Sequence, residues 1–148
     1  MAEPVLFKDG RAAWSTGTAT GELTQISGIK SVELPLTKAE LANSVMSDVA
    51  ETFFPGLISS PITVVARQDF TTGGVDDEVY GRWNSETAFH FEAAAVNATI
   101  STTNPAYRFN HVRVFAHTPI SGAHGVLLEN SFQLRMQSGC TVTRLTST

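Results

Sequence analysis

At 148 residues, the chain is long enough for one domain, and a chain of this size buries roughly 68–70% of its unfolded surface. Hydrophobic residues make up 42% and charged residues only 16%, and the net charge of −4 lacks the clustered Lys and Arg that grip phosphate backbones. A single cysteine, Cys140, excludes an intrachain disulfide and fits a reducing compartment.

The first 22 residues, "MAEPVLFKDGRAAWSTGTATGE", have little periodicity, but they carry the anchors Val5, Leu6, Phe7 and Trp14. Disordered tails rarely hold a Trp and a Phe. The stretch reads as an extended arm docking on a partner, or as an edge strand on the chain's own core. If it is an arm, removing residues 1–14 leaves a folded subunit. No basic region with a following apolar run marks a signal peptide, and no run nears the ~20 apolar residues of a spanning helix, so no membrane association is expected.

"TQISGIKSVELPL" places Ile26, Ile29, Val32 and Leu34 around Gly28. It reads as one strand, or two with a bend, because Gly inside a strand often marks a bulge. From 35 to 57 the pattern is ambiguous. Thr37 and Glu40 have capping-box spacing, and Leu41, Val45 and Val49 fall at i, i+4 and i+8. Asn43, Ser44, Ser47 and Asp48 compete for backbone partners, so a long loop with helical character is the other reading. Phe53 and Phe54 then meet Pro55-Gly56, read as a turn. Turns are normally wet, so these rings need either the core or another subunit.

"SPITVVARQDF" is a β-branched strand with Ile62, Val64, Ala66 and Phe70 on one parity. "VDDEVYGRWNS" predicts a short helix, with Val75, Val79 and Trp83 on one face and Asp76, Asp77 and Glu78 at the positive end of its dipole. Phe89 and Phe91 alternate with His90 and Glu92. "AYRFNHVRVFAH" carries two apolar sets of opposite parity, which predicts a bulge or a strand covered on both faces. "GVLLENSFQLRMQ" alternates Val126, Leu128, Phe132, Leu134 and Met136 with polar residues, and "CTVTRLTST" ends the chain as a strand or tail. Together these elements predict a mainly β fold, a sandwich or barrel with one short flanking helix, as a single domain over 1–148.

Chemistry is hard to find. His111 and His117 are about 20 Å apart along a strand at ~3.3 Å per residue, too far to share an ion. Nothing near Cys140 marks an activated thiol, and no phosphate loop or nucleophile elbow is present. No catalytic residue, metal site or cofactor is expected. The charge is uneven. Residues 69–92 carry Asp69, Asp76, Asp77, Glu78, Glu86 and Glu92 against Arg82, a net −5, while residues 93–148 carry Arg108, Arg113, Arg135 and Arg144 against Glu129, a net +3. Such asymmetry fits self-association, as it also fits a solvated acidic loop.

The order of these features resembles the major tail tube proteins of long-tailed, siphovirus-type bacteriophages over nearly the whole chain. "ISGIKSVELP" looks like their early strand. "SVMSDVAETFFPGLISSPITVVARQDF" resembles their polar loop, apolar pair, Pro-Gly-Leu and long strand. "GGVDDEVYGRWNSETAFHFEAA" is similar to their acidic helix and next strand, and "HTPISGAHGVLLENSFQLRMQSGCTVT" to their final hairpin. The helical character of 37–49 departs from the open loop of that family.

The resemblance implies six-membered rings stacked into a hollow tube, grown around a tape-measure protein and closed by a tail terminator. Double-stranded DNA would pass through without specific binding. It further implies a virion component assembled in the host bacterial cytoplasm. Residues 1–22 become an inter-ring arm and 35–57 an inter-subunit loop. Phe7, Trp14, Met46, Phe53, Phe54 and Leu57 are then the interface candidates, and Glu33, Asp69 and Glu92 the acids facing the lumen. Alternatives are a head–tail connector or terminator ring, and a small ligand-binding β-barrel.

Overall fold

The structure, a computed structural model, describes residues 10–15, 23–47 and 49–147. Among them ten strands and one helix follow in order: β1 (Arg11–Trp14), β2 (Thr24–Gln25), β3 (Ile29–Glu33), β4 (Thr37–Ala42), β5 (Phe53–Ser59), β6 (Ile62–Arg67), α1 (Val75–Ser85), β7 (Phe89–Ala94), β8 (Ala106–Ser121), β9 (Glu129–Met136) and β10 (Val142–Leu145). Eight strands form one antiparallel sheet in the order β2-β1-β7-β8-β9-β6-β3, with β10 also paired to β8. β4 and β5 form a separate two-stranded sheet.

The large sheet curls until its ends meet. β2 and β3 lie at opposite ends of the strand order, yet only Ile26, Ser27 and Gly28 separate them in sequence. The Ile26 amide donates to the Ala12 carbonyl at 2.8 Å, and the Arg67 amide to the Gly28 carbonyl at 2.8 Å. Gly28 adopts φ 69°, a left-handed turn conformation that favours glycine. The segment is thus two strands with a bend, and a register shift lies just beyond it, between Ile29 and Ser31.

The enclosed core contains Trp14, Ile62, Val64, Val79, Phe89, Phe91, Phe109, Val112, Phe132 and Leu134. Trp14 sits at its centre, 2% exposed, edge-on to Phe89 at 5.9 Å and tilted against Phe132 at 5.4 Å. The Arg82 guanidinium lies 4.1 Å above the Trp14 ring and donates to the Ser15 carbonyl at 3.0 Å. Trp14 therefore anchors its own subunit's core and is not an interface residue. Within the expected arm over 1–22, residues 11–14 are instead a strand paired on both edges, to β2 and to β7, while 1–9 and 16–22 lie outside the described residues. Phe7 lies outside the described residues.

β8 reconciles its two apolar parities with bulges. Phe89 and Phe91 pair with Val112 and Phe109, so β8 spends an extra residue there and turns both Phe109 and Val112 inward. Further shifts fall between Val114 and Ala116 and between Thr118 and Ser121. All six residues of β7 are buried, because both of its faces are covered. β9 starts later than its alternation suggests: Val126 and Leu128 are exposed, and Asn130 takes the first inward position. β6 stops at Arg67, which leaves Phe70 exposed.

α1 is the predicted helix. Gly74 precedes it at a tight approach, since a Cβ there would stand 2.7 Å from the Asp69 carbonyl oxygen. Val75 and Val79 are buried, while Trp83 turns outward beside Tyr80. The helix lies along the second half of β8, where β7 no longer pairs: His117 Nε2 is 3.8 Å from Asp76 Oδ1. That covers a sheet edge that would otherwise be open.

Candidate assembly surfaces

The 35–57 stretch is neither a helix nor an open loop. It is the β4–β5 hairpin, in register from Thr37 opposite Ser59 to Ala42 opposite Phe53. The Thr37 hydroxyl donates to the Ser59 carbonyl at 2.8 Å, and the Asn43 amide to the Thr52 carbonyl at 2.9 Å. The Ser44 hydroxyl accepts from the Thr52 amide at 2.8 Å, so a polar residue that weakens a helix closes the hairpin instead. The Leu41, Val45, Val49 stripe has no core of its own to face, and all three are exposed.

Pro55 and Gly56 do not make a turn. The register slips between Lys38 and Glu40, so β5 carries an extra residue there: Gly56 and Leu57 stand against Ala39 as the bulge, with Pro55 beside it opposite Glu40. Proline, which lacks a ladder donor, is tolerated at such a position. A Cβ on Gly56 would stand 3.0 Å from the Ala39 Cβ and 3.1 Å from its carbonyl oxygen, so glycine lets the two backbones approach.

The hairpin exposes an apolar surface out of proportion to its size. Phe53 and Phe54 are 50% and 58% exposed, and Leu36, Leu41, Val45, Val49, Leu57 and Ile58 are open as well. Met46 is fully exposed at the tip. A two-stranded hairpin is marginal alone in water, and this many exposed apolar residues on it make it a candidate interaction surface. The interface candidates Met46, Phe53, Phe54 and Leu57 thus share one element. A second apolar group, Ile120, Val126 and Leu127, sits at the far end of the β8–β9 hairpin.

The three acid candidates separate. Glu33 is exposed on β3. Asp69 accepts from the Thr71 amide at 3.0 Å and the Thr71 hydroxyl at 2.7 Å, and these bonds hold its carboxyl below the usual carboxylate range. Glu92 is 1% exposed and cannot line a lumen. It stands directly across from Arg108, which donates to Oε2 from Nε at 2.9 Å and from Nη2 at 2.5 Å, and Arg11 lies 3.5 Å from Oε1. Sequence alternation hid this, because the face opposite Phe89 and Phe91 is buried as well.

One polar network joins the base of α1 to the β8–β9 hairpin. Gln68 donates to Asp76 at 3.1 Å and to the Pro119 carbonyl, and Asn130 donates to Gln68 at 3.1 Å. The His117 side chain is 6% exposed there, and burial lowers its pKa more than Asp76 and Asn130 raise it. Nothing in the sequence linked these five residues. Among the described residues no group of three or more His, Cys, Asp or Glu is arranged to hold a metal ion, and no helix is long and apolar enough to cross a membrane.

No protein-family model matches the chain, and no curated protein matches it by sequence. Solved structures do match by fold. The tail tube of SPP1 has a TM-score of 0.72 at 13% identity, covering 97% of this chain and 81% of that one. A chain in the tail of the empty gene transfer agent particle, determined with C6 symmetry, has a TM-score of 0.67 at 11% identity, covering 92% and 96%. A chain of the sheath–tube complex of an extracellular contractile injection system has a TM-score of 0.66 at 11% identity, covering 96% and 93%. The chain therefore has the fold found in these tubular assemblies.

Proposed function

We propose that this chain is a structural subunit of a bacteriophage tail tube, with six copies closing a ring and rings stacking into a hollow cylinder. One observation carries the reading. Within a fold shared along nearly its whole length with the SPP1 tail tube, the chain projects an apolar hairpin that its own core leaves uncovered. The C6 symmetry of the gene transfer agent tail supports the ring number.

A heterologous contact that closes makes a ring, and repetition along the axis makes a tube. Met46, Phe53, Phe54 and Leu57 supply the contact. Glu33 and Asp69 remain the candidates for an acidic lumen, which would repel phosphates and let DNA slide past. A tape-measure protein inside, a terminator at the end, assembly in the bacterial cytoplasm and incorporation in the virion complete the reading. The subunit works by packing, with no catalytic step.

Electron microscopy of the purified protein, with light scattering in parallel, tests this. Tubes of uniform diameter are expected. Single rings that never stack would favour a terminator or connector, and a stable monomer would favour a small binding module.

A further inference from the structure

The β8–β9 pair carries two arginines in an unusual position. Arg113 and Arg135 stand directly opposite each other in register, on the face away from buried Val112, Val114 and Leu134. Like charges facing across a ladder destabilise a sheet unless something compensates them. Neither has an ion-pair partner among the described residues, and the Arg113 Nε is buried without a hydrogen bond. Beside Arg113 opens a cleft of about 310 Å³ lined by Trp83, Asn84, Glu86 and Phe115. Glu86 closes the end of α1 at φ 56° but makes no ion pair with Arg113. An arginine fork in a half-apolar cleft is suited to a carboxylate.

Most acids are already engaged. Asp69 is held by Thr71, Asp76 by Gln68, Asp77 by the Gly73 amide, Glu78 by Arg82, Glu92 by Arg108 and Glu129 by Lys30. Apart from Glu86, that leaves Glu33, Glu40 and Glu51 among the described residues. Two of these three lie on the segment from β4 to β5, the element whose apolar surface needs a cover. That segment carries Glu40, Asp48 and Glu51 against Lys38, a net −2.

We propose that Arg113 and Arg135 form a receiving site for the acidic, apolar β4–β5 hairpin of a second copy, with Glu40 or Glu51 supplying the carboxylate and Trp83 and Phe115 meeting its apolar residues. The inference rests on the tube reading and names the contact that builds the tube.

A charge swap on the full chain tests it. Arg113→Glu with Arg135→Glu, and separately Glu40→Lys with Glu51→Lys, should each reduce the assembled fraction by about tenfold or more while leaving the melting temperature near that of wild type. Combining all four substitutions should restore assembly. If the arginine reversals disturb folding, Arg113→Gln with Arg135→Gln carries the comparison, again with assembly reduced. Variants that assemble like wild type, or a combined variant no better than either pair, would overturn the pairing while leaving the tube reading intact. Normal assembly with a loss of salt-sensitive duplex DNA retention would also overturn it, and would assign the arginines to phosphates. Wild-type protein that stays monomeric would sink the tube reading together with this contact.

Discussion

Arg108 and Glu92 form an ion pair whose two halves are not equivalent. Glu92 is buried, whereas the Arg108 side chain is 39% exposed and can turn to water. Arg108→Ala should therefore cost more, about 3–5 kcal/mol, because it strands a buried carboxylate with only Arg11 nearby. Glu92→Gln should cost about 1–3 kcal/mol, the usual penalty for a weakened buried contact. Urea denaturation of both variants checks the order. His117 makes a pH prediction at the same scale. Its folded pKa lies below the ordinary 6.5, so below pH 6.5 the unfolded chain takes up more protons than the folded one. Stability is fully present above pH 6.5 and falls as pH drops from there toward the lower folded value. The slope of melting temperature against pH should flatten in that window in His117→Gln. A rising stability on acidification to pH 5.5, specific to His117, would contradict the assignment.

The hairpin leaves its apolar residues outside the subunit's own core. β4 and β5 are joined to the rest by the short links at 34–36 and 60–61, and their apolar residues contribute little to the enclosed core. Phe53→Ser combined with Phe54→Ser should lower tube yield severely and shift the melting temperature by only a few degrees, since the rings are half-exposed in the monomer. Thermal unfolding and particle counts, measured on the same preparations, separate the two effects. A collapse of the melting temperature without an assembly defect would mean that the rings serve the subunit's own stability. In the sequence, Pro-Gly reads as a turn and Leu41, Val45 and Val49 as a helical stripe. Both readings treat the stretch as if it had to satisfy its own core. The bulge became visible only with the β4–β5 register.

At the scale of the whole molecule, closure of the sheet makes the N-terminal strand indispensable. β1 bridges β2 and β7, and Trp14 fills the space they enclose. Deleting residues 1–14 should therefore abolish folding, seen as loss of a cooperative transition and of near-ultraviolet dichroism. Trp14→Ala alone should cost about 3–5 kcal/mol. This reverses the expectation for a detachable arm. Gly, Ser and Thr around residues 10–20 resemble an arm's composition, while the four residues "RAAW" are too short to show a strand period.

By itself the sequence determined the fold class, the α1 helix and the main strands, because each depends on local periodicity: a β-branched run for β6, apolar–polar alternation for β9, and the i, i+4 pattern of Val75 and Val79 for α1. It also singled out Phe53 and Phe54, which the structure leaves half-exposed on the hairpin. Only the tertiary structure decided which aromatics the subunit keeps for itself. Trp14 and the exposed rings are alike in composition, and their difference lies in which strand pairs with which. The same pairing turned Glu92 inward to Arg108 and left Arg113 facing Arg135. Cross-strand neighbours come from distant parts of the chain, so their charges meet through register alone.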